Sequence, residues 1–222
     1  MQTFIISLGG SLINPGKPDI AFLKKFAKVV LHHKDKKFVI ICGGGTVARE
    51  YQQTAKKLCP MTQKDLDWIG IAATKLNAEL VRGLFSSIAY KRVLDNPTQP
   101  PDTDHRIIVA GGWEPGCSTD MDAVYLAQYL DCYRIINMSN VNYVYNKDPH
   151  KYKNAKKIKK IEWKDFLKIV GQTWKPGIHA PFDPVASKYA AERKIKVAMI
   201  GPSMKELDNL LREKDFKGTL IY

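Results

Sequence analysis

The chain opens with a short apolar run that ends in glycine, and this pattern recurs along its length. Residues 3–8 are mostly apolar and precede Gly9, and residues 38–42 precede a second glycine cluster in the same way. Short apolar runs bounded by turn residues are typical of buried strands. The sequence predicts such strands over residues 3–8, 38–42, 88–94, 106–110, 134–138, 196–200 and 219–221.

Between these runs, apolar residues recur every three or four positions, which predicts amphipathic helices. Asp19 is a candidate N-cap for the first helix, and Pro184 lies at a favourable first position of a later one. The helices are predicted over residues 19–33, 46–58, 65–85, 119–130, 184–193 and 205–212.

The helix over residues 65–85 has the strongest apolar stripe in the chain. The stripe is formed by Leu66, Ile69, Ala73, Leu76, Leu80 and Leu84. Such a stripe packs either on a sheet or on a second copy of itself, so a subunit interface is one reading of this helix.

Strands that alternate with helices predict an α/β fold, a three-layer α/β/α sandwich around a mostly parallel central sheet. With 222 residues, the chain is long enough for one substantial domain over residues 1–222 and short for two independent ones. Ligands of such sheets bind at the carboxyl ends of the strands, and the glycines of this chain lie at those ends.

Three glycine clusters follow predicted strands, namely Gly9-Gly10, Gly43-Gly44-Gly45 and Gly111-Gly112. Glycine lets backbone N–H groups approach an anion closely, and a following helix points its positive end at the same place. Three such turns at one edge of a sheet predict an anion-binding site. The spacing matches neither GxxxxGK[ST] nor GxGxxG, which disfavours a P-loop protein or a dinucleotide-binding domain.

The composition and charge restrict the class of binding partner and the cellular compartment that we expect. The net charge of +13 indicates an anionic partner, such as a nucleotide. The lysines crowded between residues 147 and 168 are typical of a solvated face, so no nucleic acid is expected as the main partner. No apolar run reaches the roughly 20 residues that span a bilayer, and the first residues lack the features of a secretion signal. We therefore expect a cytoplasmic protein without a membrane partner.

The cysteines and histidines do not suggest a metal site. The four cysteines are scattered, without a CxxC pair, and the five histidines form no recognisable ligand set. Reduced thiols and no protein-bound metal are expected.

Two charged residues near the glycines are candidates for chemistry. Arg49 lies four residues after Gly45, where its guanidinium would bind phosphate oxygens or simply pair with a surface carboxylate. Asp120 lies at the start of a predicted helix, where an acidic residue is ordinary capping chemistry. The glycine-rich segment before Asp120 favours a functional reading, because its amides can be presented to a second anion.

Seven segments, taken in chain order, together resemble the amino-acid kinase superfamily across essentially the whole chain. They are residues 6–11 (ISLGGS), 43–51 (GGGTVAREY), 67–71 (DWIGI), 111–120 (GGWEPGCSTD), 139–149 (SNVNYVYNKDP), 183–188 (DPVASK) and 218–219 (GT). Within that superfamily, three glycines followed by Ala-Arg and an aromatic residue resemble the UMP kinases, particularly their short archaeal form.

The resemblance implies transfer of the γ-phosphoryl group of ATP to UMP, with Mg²⁺, by a homo-oligomer that is typically a hexamer. It implies an acceptor-binding part over about residues 1–135 and an ATP-binding part over about residues 136–222. The implied contacts with ATP are Gly9, Gly10, Gly45, Arg49, Ser139, Tyr145 and Asp148. The implied contacts with UMP are Gly44, Asp67, Trp113, Glu114, Pro115, Gly116, Cys117, Ser118 and Thr119. Arg49 and Asp120 would be the catalytic residues.

The chain departs from the family pattern at two places. Many relatives have a lysine just before the first glycine pair, where this chain has Ser7, and Lys147, Lys175 and Lys188 are candidates for supplying the missing charge. The segment over residues 174–182 also differs from the small, polar loop expected there.

Rival functions remain open on the sequence. Isopentenyl phosphate kinases share the fold but have a histidine beside the second glycine cluster, which is absent over residues 46–49. Kinases of carboxylate acceptors fit the GGG…Arg pattern less well. A nucleotide-binding protein without catalytic activity is the alternative from a different class.

Overall fold

The structure is a computed structural model that describes residues 1–147, 149, 151–171 and 180–222. Within them, the strands are β1 (Gln2–Leu8), β2 (Lys36–Cys42), β3 (Ile107–Ala110), β4 (Arg134–Met138), β5 (Val144–Tyr145), β6 (Lys157–Ile158), β7 (Lys160–Ile161), β8 (Lys196–Ile200) and β9 (Thr219–Ile221). The helices are α1 (Gly10–Ile13), α2 (Ile20–His32), α3 (Gly45–Leu58), α4 (Gln63–Gly83), α5 (Thr119–Tyr129), α6 (Trp163–Val170), α7 (Pro184–Glu192) and α8 (Met204–Leu211).

Seven of the described strands form one sheet, in the order β3-β2-β1-β4-β8-β9-β7. Strands β3, β2, β1, β4 and β8 are parallel, whereas β9 runs antiparallel to β8. Strands β5 and β6 form a separate antiparallel pair. The prediction of a mostly parallel central sheet is confirmed.

The core lies on both faces of this sheet because successive side chains of a strand point to opposite faces. Ile6 and Leu8 of β1 belong to one buried cluster, with side chains of α2, α4 and α8. Ile5, between them in sequence, belongs to the other cluster, with side chains of α5, α6 and α7. The two clusters give the three layers that the alternation of strands and helices predicts.

Helix caps confirm several predicted helix starts. The Asp19 carboxylate accepts a hydrogen bond from the Phe22 amide at the start of α2, and Pro184 is the first residue of α7. Helix α4 begins at Gln63, before the predicted start at Asp65, after a capping box in which Thr62 and Asp65 each accept a hydrogen bond from a backbone amide of the other.

The predicted strand over residues 88–94 is wrong. The segment makes only two isolated parallel bridges, through Ala89 and Leu94, to β3. Lys91 and Arg92 lie between these bridges in an exposed bend, so the segment leaves the edge of the sheet where a continuous ladder would have to form.

Helix α6 and the short strands β5, β6 and β7 were not predicted. Trp163, Phe166 and Val170 of α6 are buried at helical spacing, but they lie next to the lysine-rich run that dominates the sequence there. Two-residue strands are too short to produce a recognisable alternation.

The apolar stripe of α4 is only partly buried. Leu66 and Ala73 face the protein interior, whereas Leu76 is 65% exposed and Leu80 is 39% exposed. The buried face of α4 includes two polar residues instead, Thr74 and Asn77. No helix in the described residues combines the length and apolar character needed to cross a membrane.

Candidate functional site

The first two glycine clusters pack directly against each other at the carboxyl ends of β1 and β2. The Gly43 amide donates to the Leu8 carbonyl oxygen at 2.9 Å. A Cβ atom on Gly10 would lie 2.5 Å from the Gly43 carbonyl oxygen, and closer still to the Gly45 nitrogen. Gly45 itself has φ of +65°, a conformation that other residues rarely adopt. The two turns can therefore approach this closely only because these positions are glycine.

Three glycine amides at this junction have no protein acceptor within the described residues. They are the N–H groups of Gly10, Gly44 and Gly45, and Gly45 is the first residue of α3. Unpaired amides at the start of a helix are suited to anion binding, because the helix dipole adds to their partial charge. Arg49 lies on the same helix, one turn further on. Its exposed guanidinium donates to the Thr46 hydroxyl at 3.1 Å.

The third glycine pair does not offer free amides. The Gly111 amide donates to the Leu94 carbonyl oxygen at 3.1 Å, and the Gly112 amide donates to Thr74 Oγ1 at 2.6 Å. A Cβ atom on Gly111 would lie 2.8 Å from Cγ of Lys75 in α4. These glycines let α4 pack close to the end of β3, so the expectation that all three clusters present amides to an anion is wrong for this one.

Residues 113–118, here called the acceptor loop, connect β3 to α5. The Gly116 amide donates to Asp67 Oδ2 on α4 at 2.9 Å, and Gly116 has φ of +85°. Asp67 and this loop were both expected to contact the same ligand, and the hydrogen bond joins them. The Asp67 carboxylate also accepts from Gln63 Nε2 at 2.7 Å. This second bond holds the carboxylate in place on its own helix.

The members of the acceptor loop differ in exposure. Trp113, Pro115, Cys117 and Ser118 are half-buried, and Glu114 and Gly116 are exposed. The Trp113 ring packs edge-to-face on Tyr125 of α5, with centroids 5.8 Å apart. This contact fixes the start of the loop against α5.

The loop ends at the N-terminus of α5, which is a second place with unpaired amides. Ser118 caps the helix by accepting from the Met121 amide at 3.2 Å. In the described part of the chain, the amides of Thr119 and Asp120 have no protein acceptor. The site therefore contains two separate groups of free amides, one at the start of α3 and one at the start of α5.

Asp120 holds the start of α5 against the ends of β1 and β4 and the start of α7. Its Oδ1 accepts from Ser7 Oγ of β1 and from Asn137 Nδ2 of β4, both at 3.2 Å. Its Oδ2 accepts from the Asp183 amide at the start of α7, at 3.0 Å. Burial raises the pKa of Asp120 to about 6, although the Asp183 amide and the Ser7 hydroxyl act in the opposite direction.

The structure shows which contact Ser7 makes at the position where the sequence departs from the family pattern. Ser7 faces the same edge of the sheet as the glycines and donates a hydrogen bond to Asp120. Among the described residues, no lysine contacts Asp120. Ser7 therefore adds a neutral donor, and not a charge, beside this carboxylate.

Asp122 is a second buried carboxyl group that the sequence did not single out. Its side chain is fully buried, and Oδ1 accepts from Cys117 Sγ of the acceptor loop at 3.2 Å. Burial raises the pKa of Asp122 to about 7, and burial followed by the charge of Asp122 raises the pKa of the Cys117 thiol. This bond is a second attachment of the loop, in addition to the one from Asp67.

The segment expected to bind adenosine begins beside the first glycine turn. Ser139 follows β4, and a Cβ atom on Gly9 would lie 3.5 Å from Ser139 Cα. The Ser139 hydroxyl accepts from the Val141 amide at 3.1 Å. Tyr145 lies half-exposed in β5. Asp148 lies outside the described residues.

The structure does not identify a replacement for the missing lysine. The Lys147 ammonium lies 5.1 Å from the centre of the Tyr152 ring, and Lys188 is exposed on α7. Lys175 lies outside the described residues, as does the segment over residues 172–179. Phe182, at the end of the unusual loop, is fully buried.

Two residues that shape the site were missed by the sequence analysis. Thr74 of α4 accepts from Gly112, and Asn77 of α4 donates from Nδ2 to the carbonyl oxygens of Gly43 and Gly44 at 2.8 and 3.2 Å. The sequence contains one signal for these two residues, because both are polar and lie among the apolar residues of this helix. Through Asp67, Thr74 and Asn77, α4 contacts the acceptor loop, Gly112 and the second glycine cluster.

The sheet order and the flanking helices define an α/β protein of known architecture. The family model for the amino acid kinase family matches residues 2–201. The chain belongs to the amino acid kinase family.

Within that family, the similarity is to uridylate kinases. The chain is 33% identical to the uridylate kinase of Thermococcus sibiricus, over 98% of each chain. It is 32% identical to the uridylate kinase of Thermoplasma volcanium, over 96% of this chain and 94% of the other. The crystal structure of uridylate kinase from Archaeoglobus fulgidus superimposes with a TM-score of 0.87 at 29% identity, covering 100% of both chains.

Proposed function

We propose that this protein transfers the γ-phosphoryl group of ATP to UMP, producing UDP and ADP for pyrimidine nucleotide biosynthesis in the cytoplasm. The observation that carries the proposal is the pair of free-amide groups at the starts of α3 and α5, together with Asp120, which holds the start of α5 against the carboxyl ends of β1 and β4. Two phosphorylated ligands require two such places. The full-length similarity to proteins named uridylate kinase supports UMP as the acceptor.

The chemistry of the acceptor fits a site built from amides and cations. A phosphate monoester has a second pKa near about 6, so its attacking oxygen is already deprotonated at neutral pH. The protein then needs no general base. It must align two polyanions and stabilise the charge that spreads over the transferred group, in a direct in-line transfer.

Each ligand has a proposed set of contacts. ATP would be held by the phosphate contacts Gly9, Gly10, Gly45 and Arg49 and by the adenosine contacts Ser139, Tyr145 and Asp148. UMP would be held by Gly44, Asp67, the acceptor loop and Thr119. In this arrangement the part up to about residue 135 binds the acceptor and the part from about residue 136 binds ATP.

Arg49 and Asp120 have the proposed catalytic roles. Arg49 is exposed, and its guanidinium is free to move from Thr46 onto a phosphate. Asp120 holds the start of α5 against the ends of β1 and β4 and would maintain the distance between the ligands. Mg²⁺ enters as part of the substrate Mg·ATP, with phosphate oxygens and water as its main ligands.

The test is ADP release from Mg·ATP with a panel of acceptors. We expect turnover with UMP and little or none with isopentenyl phosphate, acetylglutamate or carbamate. CMP and dTMP measure the selectivity for the base. Turnover that is confined to another acceptor would contradict UMP as the substrate. ATP binding without any turnover would indicate a nucleotide-binding protein that lacks catalytic activity.

We also propose that the protein is a homo-oligomer, assembled through the exposed apolar surface of α3 and α4. Leu76 is 65% exposed, Leu58 is 77% exposed and Tyr51 is 67% exposed. Trp68, Leu76 and Leu80 lie at helical spacing on one side of α4. Apolar side chains grouped in this way are typical of a protein–protein interface. By resemblance, the assembly would be a hexamer.

A pair of matched variants tests this surface. Leu76→Glu should reduce the mass measured by light scattering during size-exclusion chromatography, because it places a charge in the interface. Ile20→Glu is the control, since Ile20 is also 65% exposed but lies on α2. Equal masses for the two variants and the unmodified protein would exclude α4 as the interface.

A further inference from the structure

Asn77 of α4 contacts the backbone of the second glycine cluster from inside the protein. The residue is only 3% exposed. Its Nδ2 group donates to the carbonyl oxygens of Gly43 and Gly44, at 2.8 and 3.2 Å. A side-chain amide has two N–H donors on one nitrogen, so a single asparagine can serve two adjacent carbonyl groups.

These two bonds also fix the direction of the two free amides. A trans peptide unit is planar, and its C=O and N–H bonds point in opposite directions. The described chain contains no cis peptide bond. Because Asn77 holds the Gly43 and Gly44 carbonyl groups toward α4, the N–H groups of Gly44 and Gly45 must point away from α4. Those are two of the three amides that lack a protein acceptor.

Glycine makes this restraint necessary. Gly44 and Gly45 have no side chains that would restrict their backbone angles, so an unrestrained turn would sample many peptide orientations. Among the described residues, the only other backbone N–H that donates to either carbonyl group is that of Ala48, whose hydrogen bond to the Gly44 oxygen is long, at 3.4 Å. Preorganised donors contribute more to catalysis than donors that must reorient as charge develops.

We propose that Asn77 is a positioning residue that orients the Gly44 and Gly45 amides toward the phosphates of the two ligands. The inference rests on the proposed phosphoryl transfer, and it assigns to a buried residue of α4 the task of keeping the glycine turn ready to bind. Asn77 does not contact the ligands itself. Its effect is transmitted through the two carbonyl groups that it holds.

The test compares two variants of Asn77 with a control on the same helix. Asn77→Asp keeps the shape of the side chain but removes both N–H donors, and Asn77→Ala removes the side chain. Val81→Ala is the control, because Val81 is fully buried one turn further along α4 and packs in the apolar core. All proteins are assayed well below their midpoints of thermal unfolding, with kcat and KM measured for UMP and for Mg·ATP.

We expect kcat to fall at least about tenfold in both Asn77 variants, because an amide that turns away from the developing charge is lost as a donor, and loss of one such donor has effects of this size or larger. Val81→Ala should remain within about twofold of the unmodified protein. If the Asn77 variants match the Val81 control in kcat and in KM, the inference is overturned.

A binding measurement separates this inference from the proposed function. Calorimetric titration with Mg·ADP and with inorganic pyrophosphate should give a Kd at least about tenfold higher in the Asn77 variants, and an unchanged Kd in the control. If the unmodified protein does not phosphorylate UMP, the proposed function fails, and the same Kd comparison still supports or overturns the role of Asn77. Failure of the unmodified protein to bind either probe overturns it.

Discussion

Replacing Asp120 by asparagine separates the charge of this side chain from its shape. The carboxylate accepts hydrogen bonds from Ser7, Asn137 and the Asp183 amide. In Asp120→Asn, the new oxygen can still accept from the Asp183 amide. Ser7 and Asn137 can each turn to accept from the new NH₂ group. Most hydrogen bonds are therefore exchanged and not lost, while the buried charge is removed.

The expected change in stability follows from the pKa. The pKa of Asp120 is raised from 3.8 to about 6 by burial, so the charged form is less stable in the folded protein than in the unfolded chain. A difference of about 2 pKa units corresponds to about 3 kcal/mol at pH values above 6. One weakened hydrogen bond offsets about 1 kcal/mol of this gain. We expect Asp120→Asn to be about 2 kcal/mol more stable than the unmodified protein at pH 7.5.

The sign of the pH dependence gives a second check. Because the pKa in the folded state is raised, the folded protein binds a proton more tightly than the unfolded chain between pH 3.8 and about 6. The unmodified protein therefore recovers stability as the pH falls through this window. Between pH 7.5 and 4.5 the advantage of Asp120→Asn should shrink by about 2 kcal/mol. Asp122 and Asp183 titrate in both proteins, so their contributions largely cancel in the difference.

The assay is urea unfolding of both proteins at pH 7.5, 6.0 and 4.5, at one protein concentration because assembly affects the midpoint. UMP-dependent ADP release is measured in parallel and should fall at least about tenfold in the variant. A variant that is destabilised by more than about 1 kcal/mol at pH 7.5 would refute the reasoning. A difference in stability that does not change with pH would also refute it, because Asp120 would then not carry a buried charge.

Three further substitutions address the glycine turns, the proposed phosphate ligand and the acceptor loop. Gly10→Ala should lower the free energy of unfolding by more than about 3 kcal/mol, because its Cβ would lie 2.5 Å from the Gly43 carbonyl oxygen; a normal urea midpoint would show that the turns can separate. Arg49→Ala should change stability by less than about 0.5 kcal/mol, yet raise KM for ATP or lower kcat at least about tenfold. Arg134→Ala, an exposed arginine at the opposite end of the sheet, is its control, and equal activities would remove Arg49 from the site. Asp67→Ala should raise KM for UMP about tenfold with a smaller change in kcat, since it releases the acceptor loop, and an unchanged KM would contradict this role.

The sequence by itself determined the architecture and the place of the site. Apolar runs ending in glycine specified the parallel strands, because backbone burial and turn chemistry are local properties that a short segment encodes. The order of the motifs predicted the family before any contact was known. The prediction of a strand over residues 88–94 was wrong. An exposed bend at Lys91 and Arg92 interrupts an apolar pattern that is otherwise typical of a strand.

The tertiary structure decided which of these groups are available to a ligand. The glycine clusters look alike in sequence, but Gly44 and Gly45 keep free amides whereas Gly111 and Gly112 donate to Leu94 and to a side chain of α4. Those acceptors are brought close only when the bridge at Leu94 and helix α4 pack against the end of β3.

The tertiary structure likewise decided the hydrogen-bond partners of Asp120 and the orientation of α4. The hydrogen-bond partners of Asp120 come from β1, β4 and α7, and the nearest of them is 17 residues away in the chain. The sequence of α4 predicts an apolar stripe along one face. In the structure, however, Thr74 and Asn77 face inward and Leu76 faces solvent. The direction of a helix face, and the pairing of a buried polar group, depend on which distant elements pack around them, and no local pattern specifies that packing.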